Sequence, residues 1–267
     1  MRIVERAPVC GWEGYRGPVV VLVHGSLDRA ASFTRTASRL PEWALVAYDR
    51  RGYQGSRGAG VARSLATHVH DLLAIARVYG EAGRRPVTAV GHSAGGTIAL
   101  MAAVTDPSAF SSVAAYEPPM NWLGFRGSEV AKAREPDVDP GGEAERFFRR
   151  MMGDAAWARL PEPGRTSRLA DGPALVSDLA AIRGPAPFDV TALAVPALVA
   201  CGGPASMPHH RRTARWLAAN VGAVHRSELP GAAHGAHLSH PGAFAALVRE
   251  AVALASGPAA GAGGPAP

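Results

Sequence analysis

The stretch Val87-Thr88-Ala89-Val90-Gly91-His92-Ser93-Ala94-Gly95-Gly96-Thr97-Ile98-Ala99-Leu100 constrains the fold more than any other part of the chain. An apolar, β-branched run ends in Gly91, one serine stands between glycines, and a small-residue helical pattern follows. This is strand, sharp turn and helix, with G-x-S-x-G at the turn. Gly91 and Gly95 carry no side chains to clash, so the turn can be tight enough to hold Ser93 in a strained, exposed conformation. Its hydroxyl is expected at the carboxyl end of a sheet, where ligands bind in open α/β folds. The helix starting near Ala94 aims free N–H groups and its positive dipole end at the same point. Ser93 is the expected nucleophile.

The rest of the chain supplies the sheet that such a turn needs. Ile3-Val4 can form at most a short strand. Pro18 to Val23 is continuously apolar, as a strand buried on both faces should be, and runs straight into His24-Gly25-Ser26. Ser32 to Leu40 reads as a short helix and Trp43 to Tyr48 as a second buried strand. Ser64 then opens an amphipathic helix that Gly80 and Gly83 stop. Val113 to Tyr116 is a further strand, closed by Glu117-Pro118-Pro119. From Met120 to Phe188 the alternation gives way to charged, Pro- and Gly-broken helical pieces, including Glu143 to Met152 and Arg168 to Ile182. A strand at Val195–Ala200, a helix at His209–Asn220, a strand at Val224–Leu229 and a helix at Gly242–Ala255 restore it. Strands alternating with helices predict a mostly parallel sheet covered on both faces. The expected organisation is an α/β core of residues 1–119 and 189–255, a helical cap of residues 120–188, and a disordered Gly/Ala/Pro tail of residues 256–267.

Composition removes several classes. The 267 residues can bury one sizeable core. The formal charge of +6 comes almost wholly from arginines scattered among acids and apolar residues, with Lys132 the single lysine, so no nucleic-acid footprint is expected. No apolar run reaches transmembrane length, and no signal pattern opens the chain, so a cytoplasmic protein without membrane association is expected. Cys10 and Cys201 are expected as free, partly buried thiols. The sequence has neither a G-x-G-x-x-G dinucleotide pattern nor a Cys/His/Asp cluster with metal-ligand spacing, so no cofactor and no metal are expected.

Four stretches in this order carry a resemblance: Val23-His24-Gly25-Ser26, Tyr48 to Ser56 (YDRRGYQGS), Gly91 to Gly96 (GHSAGG), and Leu229-Pro230-Gly231-Ala232-Ala233-His234. Over roughly Pro18 to Ala255 the chain resembles the α/β-hydrolase fold family in its capped, single-domain form. A serine needs a base to remove its proton. Of the ten histidines, His234 is best placed, in a turn-rich loop after the last strand, and the resemblance puts the base there too; His237 is the alternative. His68 and His70 face different ways on a helix, His209 and His210 read as solvated surface, and His24 and His92 as packing or hydrogen-bonding residues beside the site. The oxyanion donors are expected to be the backbone N–H groups of Ala94, directly after the nucleophile, and, by resemblance, of Ser26.

The acid departs from the family pattern. The family most often places an Asp after the strand at Ala197–Ala200, but that loop, Cys201 to Pro208, holds no carboxylate. Glu117, which ends the preceding strand on the same sheet edge, is the expected orienter of His234. The alternatives are a salt-bridging Glu117 and a Ser93–His234 dyad assisted by Ser206. Trp122, Phe147 and Met151 of the cap are the expected substrate contacts, in an apolar pocket.

Together these readings predict a cofactor-free serine hydrolase of an ester, thioester or lactone with an apolar acyl group, of the carboxylic ester hydrolase type. A C–C bond hydrolase, an acyltransferase or a perhydrolase would use the same residues, and a non-catalytic binding protein could share the scaffold. The expected partner is a small-molecule substrate, and the expected assembly a monomer or homodimer.

Overall fold

A computed structural model describes residues 1–81, 84–126 and 139–255. The expected tail, Gly83 and part of the expected cap (127–138) lie outside the described residues. Among the described residues, seven strands form one sheet in the order β1-β3-β2-β4-β5-β6-β7. They are β1 (Ile3–Arg6), β2 (Val19–Val23), β3 (Ala44–Tyr48), β4 (Val87–His92), β5 (Ser112–Tyr116), β6 (Ala197–Gly202) and β7 (Val224–Leu229). All neighbours are parallel except the edge pair β1–β3.

The apolar strands are buried because both faces are covered. Val19, Val21 and Val23 pack into one core with α2 (Leu65–Tyr79), α3 (Ala94–Thr105) and α8 (Pro208–Asn220), while Val20 and Leu22 pack into a second with Phe33 and α10 (Pro241–Leu254). The strand period of two thus feeds two cores from one continuous apolar run. The remaining core helices are α1 (Thr34–Ala37), preceded by a 3₁₀ turn at Ala30–Phe33, and α9 (Ala236–Ser239). The segment expected as one short helix is therefore split.

Between β5 and β6 the chain inserts α4 (Pro140–Met152), α5 (Asp154–Ala158), α6 (Glu162–Ala170) and α7 (Gly172–Arg183). Their own small core holds Ala144, Phe148, Trp157 and Leu175, joined by Leu27 from the loop after β2. The helix expected over Arg168–Ile182 is in fact two. It breaks at buried Asp171, whose carboxylate accepts from the Gln54 N–H and the Arg57 side chain. The chain passes so close at Gly172 that a Cβ there would lie 2.1 Å from the Pro140 carbonyl oxygen.

A buried ion pair ties the insert to the sheet. Asp178 on α7 accepts from Arg50 Nη2 at 2.7 Å and Nη1 at 3.3 Å, and from the Tyr53 hydroxyl at 2.7 Å. His68 lies 3.2 Å from the same carboxylate, so it is a buried network member. Arg50 is fully buried and its Nε donates to the His24 carbonyl oxygen.

Candidate active site

The carboxyl ends of β2, β4, β5 and β6 meet at one edge of the sheet. Strand order reverses between β2 and β4, the place where α/β sheets open a crevice. Ser93 follows β4 with φ 54° and ψ −127°, a conformation L-residues rarely adopt. The two glycines make it possible. A Cβ on Gly91 would sit 2.1 Å from the Gly95 carbonyl oxygen, and one on Gly95 would sit 2.1 Å from that of Val23. The Ser93 N–H donates to the Tyr116 carbonyl oxygen at 2.9 Å, which seats the elbow on β5.

Glu117 also has a positive φ, of 48°, and its side chain is fully buried. One carboxylate oxygen, Oε2, lies 2.7 Å from His234 Nδ1. The other accepts from the Gly202 N–H at 2.9 Å and from the Ser206 hydroxyl. The end of β6 and the loop after it thus supply donors in place of an acid. Gly202 must be glycine, since a Cβ would lie 2.2 Å from the Ala232 carbonyl oxygen of the His234 loop. Burial pushes the Glu117 carboxyl up, but the His234 hydrogen bond, the electrostatic influence of the His210 and His234 rings and the Ser206 hydroxyl outweigh it and hold it at about 2. An ionised Glu117 places the ring proton of His234 on Nδ1 and leaves Nε2 free to accept.

Ser26, Ser93 and His234 line one cavity with Leu27, Asp28, Phe147, Phe148, Met151, Met152, Arg168 and Leu238. No hydrogen bond between the Ser93 hydroxyl and the ring is formed among the described residues; contacts of this kind tighten when substrate binds. Among the same residues neither the Ser26 nor the Ala94 N–H donates to a protein acceptor. Both are free for a ligand. Of the cap residues expected as substrate contacts, Phe147 and Met151 line the cavity. Trp122 does not: it stacks edge-on against Phe188, with both packed on the main core.

Histidines crowd this site more than their spacing suggested. His210, expected on the surface, is 6% exposed, stacks on His234 with centroids 4.8 Å apart, and lies 3.7 Å from Glu117. His209 lies tilted against His210 in turn, ring centroids 4.1 Å apart, while His70 is exposed. His92 lies 4.8 Å from His234 on another side, and its Nε2 is 2.7 Å from the His234 carbonyl oxygen. Burial, then the His234 charge, lowers His210 to about 3; burial, then His237 and His234, lowers His92 well below the usual range. The sequence held no local signal for this cluster, because its members come from the end of β4, the start of α8 and the loop after β7.

His237 pairs with Asp28 at 3.0 Å and packs on Phe33 and Phe244. Two triplets, Asp28/His92/His237 and Glu117/His210/His234, bring metal-ligating atoms within 4.8 Å of one another. Neither is a good cation site. In the first, metal on His237 Nε2 would move the ring proton to Nδ1, which is buried without a partner. In the second, Glu117 and His234 already satisfy each other. Cys201 is buried as expected, whereas Cys10 is exposed.

The shifts predict an acid-labile fold. Glu117, Asp28 and Asp178 all titrate below their unfolded values, so the stability they contribute is lost as pH falls. His24, His92 and His210 are held neutral in the fold and protonate on unfolding, which acts in the same direction below about 6.5. The melting temperature is expected to fall steadily from neutral pH to about pH 3. A flat profile over that range contradicts the assignment.

Comparison with known proteins agrees with this architecture. The chain is 30% identical over 151 residues to Lipase LipV of Mycobacterium tuberculosis, covering 56% of each protein. It thus spans about half the length of the curated relatives it matches. An alpha/beta hydrolase from Sphaerobacter thermophilus superposes with a TM-score of 0.67 at 24% identity, over 93% of this chain and 95% of that one. A thermophilic esterase from Thermogutta terrifontis gives 0.67 at 20% identity, over 95% and 93%. The model of the alpha/beta hydrolase family matches residues 20–247, which contain every strand of the parallel sheet but part of β2 together with the elbow, Glu117 and His234, and the chain belongs to that family.

Proposed function

We propose that the chain is a serine hydrolase acting on an ester, thioester or lactone with an apolar acyl group. The observation that carries this reading is the 2.7 Å contact between buried Glu117 and His234 Nδ1, beside a serine on a strained elbow. In this mechanism His234 Nε2 takes the Ser93 proton as Oγ attacks the acyl carbonyl. The negative charge on the tetrahedral oxygen is met by the Ser26 and Ala94 N–H groups. His234 then returns the proton to the leaving group, and water activated by the same ring cleaves the acyl-enzyme. Glu117 stays ionised throughout and stabilises the imidazolium.

Leu27, Phe147, Phe148, Met151, Met152 and Leu238 give the cavity apolar walls suited to an acyl chain or an aromatic group. Arg168 is the guanidinium among them; burial and the Arg29 charge lower it to about 10, so it remains a cation at neutral pH. The lipase and esterase names of LipV and the Thermogutta protein are in keeping with ester chemistry. The test is a fluorophosphonate probe followed by a panel of p-nitrophenyl esters. Covalent modification at Ser93 is expected, with faster turnover of apolar than of strongly polar acyl groups. Labelling without turnover of any ester would favour a binding protein or a C–C bond hydrolase.

A further inference from the structure

We propose that Asp178 is a positioning residue for the oxyanion donor Ser26, so that the inserted helices set the geometry of the reaction as well as covering it. This rests on the serine-hydrolase reading above. The Ser26 side chain is turned away from the chemistry that its N–H would perform: its hydroxyl donates to Asp178 Oδ2 at 2.7 Å, across 152 positions of sequence. Asp178 is itself held on every side. Arg50 donates to both carboxylate oxygens, the Tyr53 hydroxyl to Oδ2, and His68 contacts Oδ1. A carboxylate offers about four lone-pair sites, so these contacts leave it little freedom to shift. Arg50 is fixed in turn, its Nε on the His24 carbonyl oxygen and its N–H on His24 Nε2 at 2.8 Å.

The next residue is gripped from the same side. Leu27 has φ 56°, an unfavourable conformation for a leucine, and such a conformation persists only where the surroundings enforce it. Its side chain is 4% exposed, inside the core of the inserted helices with Phe148, Trp157 and Leu175. Its carbonyl oxygen accepts from Arg168 of α6. Side chain, backbone and packing of consecutive loop residues are therefore all fixed by α4 to α7. A loop needing only to pass over the sheet edge has no use for three such holds. A loop that must aim one N–H at a reacting oxygen does, because small displacements cost large factors in rate.

The experiment uses the full chain and a p-nitrophenyl ester that it turns over. Ser26→Ala keeps the backbone N–H and removes only the hydroxyl. It is expected to lower kcat about tenfold or more, with KM within about twofold and the melting temperature little changed. Ser26→Thr, which restores a hydroxyl, is expected to recover part of kcat. Fluorophosphonate labelling, which also forms a tetrahedral centre at Ser93, is expected to slow in parallel. Asp178→Asn is expected to lower kcat as well, and adding Ser26→Ala to it is expected to cost little more, because the two share one interaction. Should Asp178→Asn fail to fold, the Ser26 pair carries the test alone. Wild-type kcat in Ser26→Ala, or losses that simply multiply in the double variant, overturn the inference while leaving the hydrolase reading intact. A wild-type chain with neither labelling nor turnover removes both.

Discussion

Ser93→Ala is expected to lower ester turnover by about 10⁵–10⁶ and to abolish covalent labelling by fluorophosphonate, with no loss of fold. The fold survives because alanine occupies the same backbone conformation. The strain at φ 54° is imposed by the close approach of Gly91 and Gly95, not by the hydroxyl. The reaction does not survive because, among the described residues, no other hydroxyl is lifted to that point: Ser26, the other serine lining the cavity, commits its hydroxyl to Asp178. What activity persists is expected from the two N–H groups and substrate binding alone. Initial rates together with intact-protein mass spectrometry decide the matter. Undiminished turnover, or labelling that moves to another residue without loss of rate, would end the serine-hydrolase reading.

Glu117→Gln is expected to cut kcat by about 10³–10⁴ with little change in KM. The carboxylate accepts at both oxygens, from Gly202 and Ser206 at one and from His234 at the other. An amide can accept at only one. If its oxygen stays with Gly202 and Ser206, its NH₂ group faces His234 Nδ1 and forces the ring proton onto Nε2, where it blocks the serine. Glutamine is isosteric and neutral, so the variant is expected to fold and to keep its substrate affinity. Ser206→Ala, which removes one donor and leaves the charge, is expected to cost far less. A Glu117→Gln enzyme within tenfold of wild type would show that Glu117 is a structural residue.

The elements legible in the sequence were those whose cause is local. The Ser93 turn could be read because two glycines and an apolar run dictate backbone shape within a few residues. The continuous run of β2 could be read because burial on both faces leaves no polar alternation. Glu117 could be singled out because it ends a core strand between apolar and proline residues, although its positive φ and its partners Gly202 and Ser206 were invisible. What escaped reading depends on contacts between distant segments. His210 looked like surface at the start of a helix, yet that helix lays it against His234. Trp122 was assigned to the pocket by composition, but its ring found Phe188. The Arg50–Asp178 pair joins residues 128 apart in a region of scattered charge, and no periodicity distinguishes them from solvated neighbours.

That pair also bears on how this protein could be recombined. The inserted helices leave the sheet after β5 and return to it at β6, its immediate neighbour, so the segment has the layout of an exchangeable module. Exchange is nonetheless constrained. An incoming segment without an acid at the place of Asp178 would strand a fully buried guanidinium, whose unpaired burial costs roughly 3–5 kcal/mol. An incoming acid without Arg50 would be stranded likewise. Chimeras of this scaffold are therefore expected to succeed in matched sets, with residues 50, 53, 68 and 178 inherited together. Substrate range can then vary on the wall formed by α4, where Phe147, Met151 and Met152 can change without touching the buried charge.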